Sequence, residues 1–95
     1  MTTRRTRAGV VARVVSPEGW RELGQRPAFE EISVVLRGTL RVEYEGGTLD
    51  VRAGQAVVAH PGEWVRYGSP AAGGAEYIAV CVPAFTPAAA HRDDG

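Results

Sequence analysis

Short runs of β-branched residues, broken by glycine and proline every six to ten residues, set the strongest limit on how this chain can fold. The runs lie at Val10 to Val15, Glu31 to Leu36, Thr39 to Glu45, Gln55 to Ala59 and Ala75 to Val82. Gly46-Gly47 is typical of a two-residue hairpin, and Gly38 reads as a turn between two strands. No window of ten residues has the 3.6-residue spacing of a helix. The pattern predicts an all-β sandwich or barrel with little or no helix.

The 95-residue length allows one domain, which we expect to have its core at about residues 10–83. We expect residues 1–9 to form a basic N-terminal arm and residues 84–95 a tail or a lid. Eleven basic residues balance eleven acidic ones, which removes the long-range attraction that nucleic acid or an anionic membrane requires. The N-terminal arginines could grip phosphate, but a solvated terminus is the simpler interpretation.

The single cysteine, Cys81, cannot form an intramolecular disulfide, so nothing in the sequence requires an oxidising compartment. It lies in an apolar run, where a free cysteine usually packs as a small hydrophobic residue. Arg13 interrupts the short apolar run that follows the N-terminal arginines, and no stretch approaches transmembrane length. These features predict a cytoplasmic protein.

Glu31 is unusual because it is a carboxylate at the head of an apolar strand. Side chains alternate between the faces of a strand, so Glu31, Ser33 and Val35 point one way. Ile32, Val34 and Leu36 point the other way and need cover, which predicts a homodimer that buries this face or shares the Val10 to Val15 strand. Glu31 could be a surface residue at the strand end, but the polar side of the strand is the better candidate for a cavity wall.

Two sets of residues have spacings that match a known family. The first set is Gly19, Gln25, Pro27, Glu31 and Gly38, and the second is Gly54, His60, Gly62, Val65 and Ser69. At these positions the chain resembles the cupin superfamily, over roughly Gly19 to Val82. The resemblance implies a single small jelly-roll β-barrel whose interior can hold one ligand.

The resemblance also implies which positions would hold a metal, because cupins bind one through three histidines and one glutamate. The histidine positions hold Gln25, Pro27 and Val65 here, and only Glu31 keeps its ligand type. One carboxylate and one amide make a poor transition-metal site. We therefore expect no metal and no other cofactor. A metal-dependent enzyme with ligands rearranged around His60 and His91 is the alternative.

Without a metal, the predicted pocket is lined by polar and aromatic residues suited to a small organic ligand. Glu31 is the candidate general acid or base, because burial favours a neutral carboxyl group. His60 is a second titratable candidate, and Tyr67 could hydrogen-bond to a carbonyl or enolate oxygen. The candidate binding residues are Gln25, Ser33, Trp64, Val65 and Tyr77.

These residues suit proton transfer, as in isomerisation, dehydration, elimination or cyclisation of a small metabolite. Each also has a structural interpretation, since His60 could cap a strand end and Trp64 could pack at the rim. Because fold does not determine function, a non-catalytic sensor or carrier module is the competing hypothesis.

Overall fold

The structure is a computed structural model, and it describes residues 2–5, 9–82, 91 and 93. All regular structure within these ranges is β-strand, in agreement with the all-β prediction. The strands are β1 (Thr2–Arg5), β2 (Val10–Ser16), β3 (Trp20–Arg21), β4 (Glu30–Tyr44), β5 (Gly47–Arg52), β6 (Ala56–Ala59), β7 (Val65–Ser69) and β8 (Ala75–Val82).

The long strand β4 belongs to two antiparallel sheets, which curl around a shared interior. Its first part pairs with β8 and β6, so the first sheet has the order β1-β2-β8-β4-β6. Its second part pairs with β7 and β5, so the second sheet has the order β3-β7-β4-β5. This arrangement is the jelly-roll barrel that the sequence predicts.

Gly38 bends β4 instead of ending a strand, which corrects the expectation of a turn between two strands. The backbone of Gly38 has a φ of 76°, and it still pairs with Ala75 in the first sheet. Thr39, the next residue, already pairs with Arg52 in the second sheet. A glycine can adopt this φ without steric cost, so one residue carries the strand from one sheet to the other.

The inward-facing side chains of both sheets form the apolar core. Leu40, at 0 %, and Val35, at 1 % exposure, are among its most buried members and lie on either side of the bend. The other buried members of this apolar core are Val42, Val51, Ala59, Val65, Tyr67, Ala75, Tyr77 and Ala79. Polar side chains on the same inner face are therefore held among apolar neighbours.

The two ends of the chain add to the sheets where they are described. Thr2–Arg5, within the expected arm, form β1 and pair with β2, whose other neighbour is β8. The 84–95 tail lies mostly outside the described residues. Its His91 O accepts a hydrogen bond from Arg26 N, and its Asp93 N donates one to Gly24 O at 2.8 Å. Within the described residues there is no helix that is long and apolar enough to cross a membrane.

Candidate functional site

Glu31 lies on the inner face of the first sheet, between β6 and β8. Its neighbours across the strands are Ala59 and Cys81, both buried. Ser33, two residues further along β4, is fully buried, whereas Val34 and Leu36 are exposed on the outer face. The alternation along β4 therefore turns Glu31 and Ser33 towards the interior of the barrel.

The Cys81 thiol donates a hydrogen bond to Glu31 Oε2, with 3.8 Å between sulfur and oxygen. Burial, together with the neighbouring Glu31 carboxylate, raises the pKa of this thiol to about 12. A thiol that stays protonated at neutral pH is a poor nucleophile. Cys81 therefore packs in the core and donates to Glu31.

Two tyrosines face the same interior from the other strands. Tyr67 on β7 and Tyr77 on β8 are only 2 % and 6 % exposed. Burial is the main cause that raises the pKa of each phenol, and the carboxylates of Glu31 and Glu22 raise it further. Both phenols are therefore neutral hydrogen-bond donors at physiological pH.

Glu22 is a residue of this site that the sequence did not single out. Its backbone N–H donates to Tyr67 O at 3.0 Å, and its Oε2 accepts a long hydrogen bond, at 3.4 Å, from Tyr67 N. Glu22 follows β3 in a glycine-rich stretch without a strand period, so only the pairing of β3 with β7 brings it to Tyr67.

Of the buried hydroxyl groups near Glu31, Ser33 Oγ has no hydrogen-bond partner among the described residues. The Tyr67 hydroxyl has no partner of standard hydrogen-bond geometry there, but it interacts with the Glu31 carboxylate, and this interaction helps to raise the pKa of the phenol. Buried polar atoms in proteins are almost always hydrogen-bonded, and an exception calls for a functional or solvent explanation. The interior thus holds hydrogen-bonding capacity that the described part of the protein does not use.

Gln25 and Val65 are fixed to each other by the backbone. The N–H of each donates to the carbonyl oxygen of the other at 2.9 Å, and both residues are buried. Pro27 is buried as well. The cupin ligand positions therefore hold one carboxylate (Glu31), one amide (Gln25) and two side chains that cannot coordinate a metal. No three His, Cys, Asp or Glu side chains cluster anywhere in the described ranges. This donor set does not fit the metal of the cupin superfamily.

His60 and Trp64 lie at the rim and are not brought together with Glu31. The His60 side chain is 67 % exposed, and its Nδ1 lies 3.3 Å from Oε2 of Glu30, which faces outward. Trp64 Nε1 donates to Asp93 Oδ2 at 3.1 Å, and the Arg66 guanidinium lies over the Trp64 ring. Both side chains make contacts typical of structural residues.

An apolar cleft opens beside the site, between the edge strands β5 and β6. Its volume is about 160 Å³. Ala59 and Val65 are part of its wall, and these residues pair with Glu31 and Gln25 respectively. The remaining lining residues are Val42, Tyr44, Leu49, Val57, Val58 and Glu63. The cleft reaches the strands that carry the polar interior groups.

The two buried phenols predict a loss of stability at alkaline pH. Between their ordinary pKa near 10.0 and their higher folded-state pKa, the unfolded chain releases protons that the folded chain retains. The free energy of unfolding should therefore fall as the pH rises above about 9, where the thiol of the unfolded chain also begins to ionise. In a Tyr44→Phe variant, Tyr67 and Tyr77 are the two tyrosines that remain. Their phenolate absorbance should appear together with the loss of the β-sheet circular dichroism signal. Phenolate absorbance that precedes unfolding would contradict this prediction.

The fold and the inward polar groups define a cupin-type, ligand-binding β-barrel. The family model described as the AraC-like ligand binding domain matches residues 17–94. This match covers most of the chain, and the chain belongs to the AraC-like ligand binding domain family. Membership of this family supports the binding of a small molecule.

Solved structures with the same fold confirm the cupin architecture. KdgF from Halomonas is 19 % identical to this chain, with a TM-score of 0.78. The match covers 86 % of this chain and 76 % of KdgF. EutQ from Clostridium difficile is 20 % identical, with a TM-score of 0.75 and coverages of 87 % and 61 %. A cupin-superfamily sugar phosphate isomerase from Silicibacter pomeroyi is 18 % identical, with a TM-score of 0.73 and coverages of 84 % and 52 %.

One curated protein is more similar in sequence. It is the endoribonuclease YbeY of Myxococcus xanthus, which is 38 % identical over 91 residues. The match takes in 96 % of this chain but 31 % of that protein, so the chain spans about a third of its length. The similarity therefore concerns one segment of the larger protein.

Proposed function

We propose that the barrel interior binds a small organic molecule through Glu31, Tyr67 and Ser33. The observation that carries the proposal is that Ser33 Oγ has no hydrogen-bond partner among the described residues, on an inner face where the Tyr67 hydroxyl and the Glu31 carboxylate interact with each other. A ligand with polar groups would supply the missing hydrogen bonds, and the surrounding core would exclude water from them.

The ligand would also have an apolar part. The cleft between β5 and β6 is lined mainly by aliphatic and aromatic side chains. Two of its wall residues, Ala59 and Val65, are the strand partners of Glu31 and Gln25. An apolar group in this cleft would gain about 25 cal/mol for each Å² of surface removed from water. Gln25, Val65 and Tyr77 would complete the walls around the polar part of the ligand.

We further propose that Glu31 exchanges a proton with the bound molecule. Glu31 would take a proton from a carbon next to a carbonyl group and return it to another atom of the same ligand. Tyr67 would hydrogen-bond to the carbonyl oxygen as negative charge develops on it. Isomerisation, dehydration or elimination, and cyclisation all use such a step. The similarity in fold to a sugar phosphate isomerase is compatible with this chemistry.

A non-catalytic sensor or carrier is the second candidate. It is favoured by the match to a family of ligand-binding domains and by the similarity to one segment of a longer protein. In such a module the same polar groups would recognise the ligand without transforming it. A metal-dependent reaction is not proposed, because Val65 and Pro27 stand at two of the ligand positions.

Native mass spectrometry of the protein purified without added ligand tests both candidates. We expect an adduct of metabolite size that is lost on denaturation. The released molecule, incubated with fresh protein and followed by NMR, should change if the protein is an enzyme and stay unchanged if it is a carrier. A screen of a metabolite library by thermal shift covers the case in which the ligand is lost during purification. The proposal would be contradicted if no adduct is found and if no molecule in the screen stabilises the protein in a way that depends on Tyr67.

A further inference from the structure

The outer face of the second sheet carries two arginines on either side of a glycine. Gly68 on β7 is the register partner of Arg21 on β3 and of Arg41 on β4, and Arg41 pairs in turn with Asp50 on β5. Side chains alternate between the two faces of a strand, and Tyr67, next to Gly68, lies in the core. The four paired residues therefore form one row across the outside of the barrel.

A groove lies over Gly68, between the two arginines. Its volume is about 340 Å³, which is within the range of small-molecule pockets. A Cβ at Gly68 would lie 3.1 Å from Trp20 O and 3.5 Å from Cγ of Arg21. The missing side chain therefore leaves open the space that separates Arg21 from Arg41. Gly19, Pro70 and Glu43 belong to the wall as well.

Arg41 is held in a fixed orientation by Asp50. Its Nε and Nη2 donate to the two carboxylate oxygens of Asp50, at 2.9 Å and 3.2 Å. This two-point contact fixes the plane of the guanidinium. Nη1 has no acceptor in the part of the chain that the structure describes. Arg41 therefore presents oriented N–H donors, while its charge is balanced by Asp50.

Arg21 supplies the unbalanced charge of the groove. Its guanidinium makes no hydrogen bond or ion pair within residues 2–5, 9–82, 91 and 93. The carboxylate in the wall, Glu43, is bound at both oxygens by Arg66, at 2.6 Å and 3.0 Å. Those hydrogen bonds lower the pKa of Glu43, and the charge of Arg21 lowers it further. Two neutral pairs and one unpaired cation give the groove a positive charge.

We propose that this groove binds the phosphate group of a small phosphorylated molecule, between Arg21 and Arg41. Neighbouring strands lie about 4.8 Å apart, so the two arginines stand about 10 Å apart at the backbone and can donate to one group from opposite sides. A phosphate monoester has three terminal oxygens and nearly two negative charges at neutral pH, so it can accept from both guanidinium groups. A planar carboxylate is filled by one guanidinium.

This site is separate from the interior of the barrel. Tyr67 and Gly68 are adjacent on β7 and face opposite sides of the same wall. A phosphorylated molecule outside and a ligand inside can therefore be bound at the same time. The outer site does not depend on the function proposed for the interior.

Titration with inorganic phosphate and with glycerol 3-phosphate, followed by NMR of the arginine side chains, locates the site. At constant ionic strength, the Nε–Hε signals of Arg21 and Arg41 should shift along one saturable curve. The signal of Arg13, which is paired with Glu76 on the first sheet, should stay in place. Acetate should bind at least ~10-fold more weakly, because it has fewer acceptors and less charge. Shifts that do not saturate, or acetate that binds as tightly as phosphate, would overturn the proposal.

Two arginine variants test whether the groove, rather than general charge, is responsible. Arg21→Gln should raise the dissociation constant for glycerol 3-phosphate by at least ~10-fold, because charge-assisted hydrogen bonds are lost. Arg52→Gln is the matched control, since Arg52 pairs with Thr39 on the same outer face but is not part of the groove wall. Solvent and salt screen its charge, so the constant should change by less than ~2-fold.

Two results would overturn the assignment of this site. Equal losses in Arg21→Gln and Arg52→Gln would show that phosphate is attracted only by the overall charge of the face. Binding that survives Arg21→Gln but is lost in Ser33→Ala would place the phosphate inside the barrel. Circular dichroism should show the same folded barrel in all three variants.

Discussion

Replacing Glu31 by glutamine should strongly reduce function while the barrel stays folded. Glutamine has nearly the same shape but cannot carry charge or exchange a proton at neutral pH. If the protein only binds its ligand, losing a charge-assisted hydrogen bond should weaken affinity by about 10- to 100-fold. If it is an enzyme, removing the general acid or base should lower kcat by about 10²- to 10⁴-fold. Calorimetry with the molecule that co-purifies, or its turnover followed by NMR, measures the effect.

The adjacent residue provides a matched control for this experiment. Glu30 precedes Glu31 on β4, but its side chain faces outward and contacts His60. Glu30→Gln makes the same chemical change on the opposite face of the strand, so it should leave affinity and turnover unchanged. Equal affinity and turnover in wild type and Glu31→Gln would refute the role of Glu31. Equal melting temperatures are needed for either result to count, and we expect them because the amide replaces a carboxyl group of the same volume.

Much of the architecture could be predicted from local patterns. β-Branched runs and turn residues identify the strands, and the period of two correctly separates buried Ser33 and Val35 from exposed Val34 and Leu36. The bend at Gly38 could not be distinguished from a turn, because a glycine with positive φ serves both purposes. Which of them occurs depends on whether the next residues find a second sheet to join.

The candidate site was less accessible to prediction, because its geometry depends on long-range pairing. The alternation that turns Ala59 inward also turns the next residue, His60, outward, and the structure places it beside Glu30. Glu22 meets Tyr67 only because β3 pairs with β7, nearly fifty residues further along the chain. No local pattern contains that register. Sequence patterns therefore identified Glu31 and Tyr67 as inward groups but not the second carboxylate near them.

Gly38→Ala should cause a large loss of stability, since two costs combine at this position. A φ of 76° is unfavourable for any residue with a Cβ, at roughly 1–2 kcal/mol. The added Cβ would also overlap the carbonyl oxygen of Gly74, which accepts a hydrogen bond from Thr39 and cannot move away freely. We expect a total loss of about 3 kcal/mol or more, which is a large part of the 5–15 kcal/mol typical of a small domain.

Gly54→Ala separates these two costs. Gly54 has a similar φ of 86°, but a Cβ there would meet no atom within 4 Å. Gly54→Ala should lose only the conformational part of the stability, and its Tm should fall by about 4–8 °C for each kcal/mol lost. The Tm of Gly38→Ala should fall further, because the overlap with Gly74 adds to the same conformational cost. The difference between the two Tm values measures the cost of placing a Cβ where the backbone of β4 lies close to Gly74. If both variants melt at the same temperature, the bend at Gly38 tolerates a side chain, and the passage of β4 between the sheets does not depend on that contact.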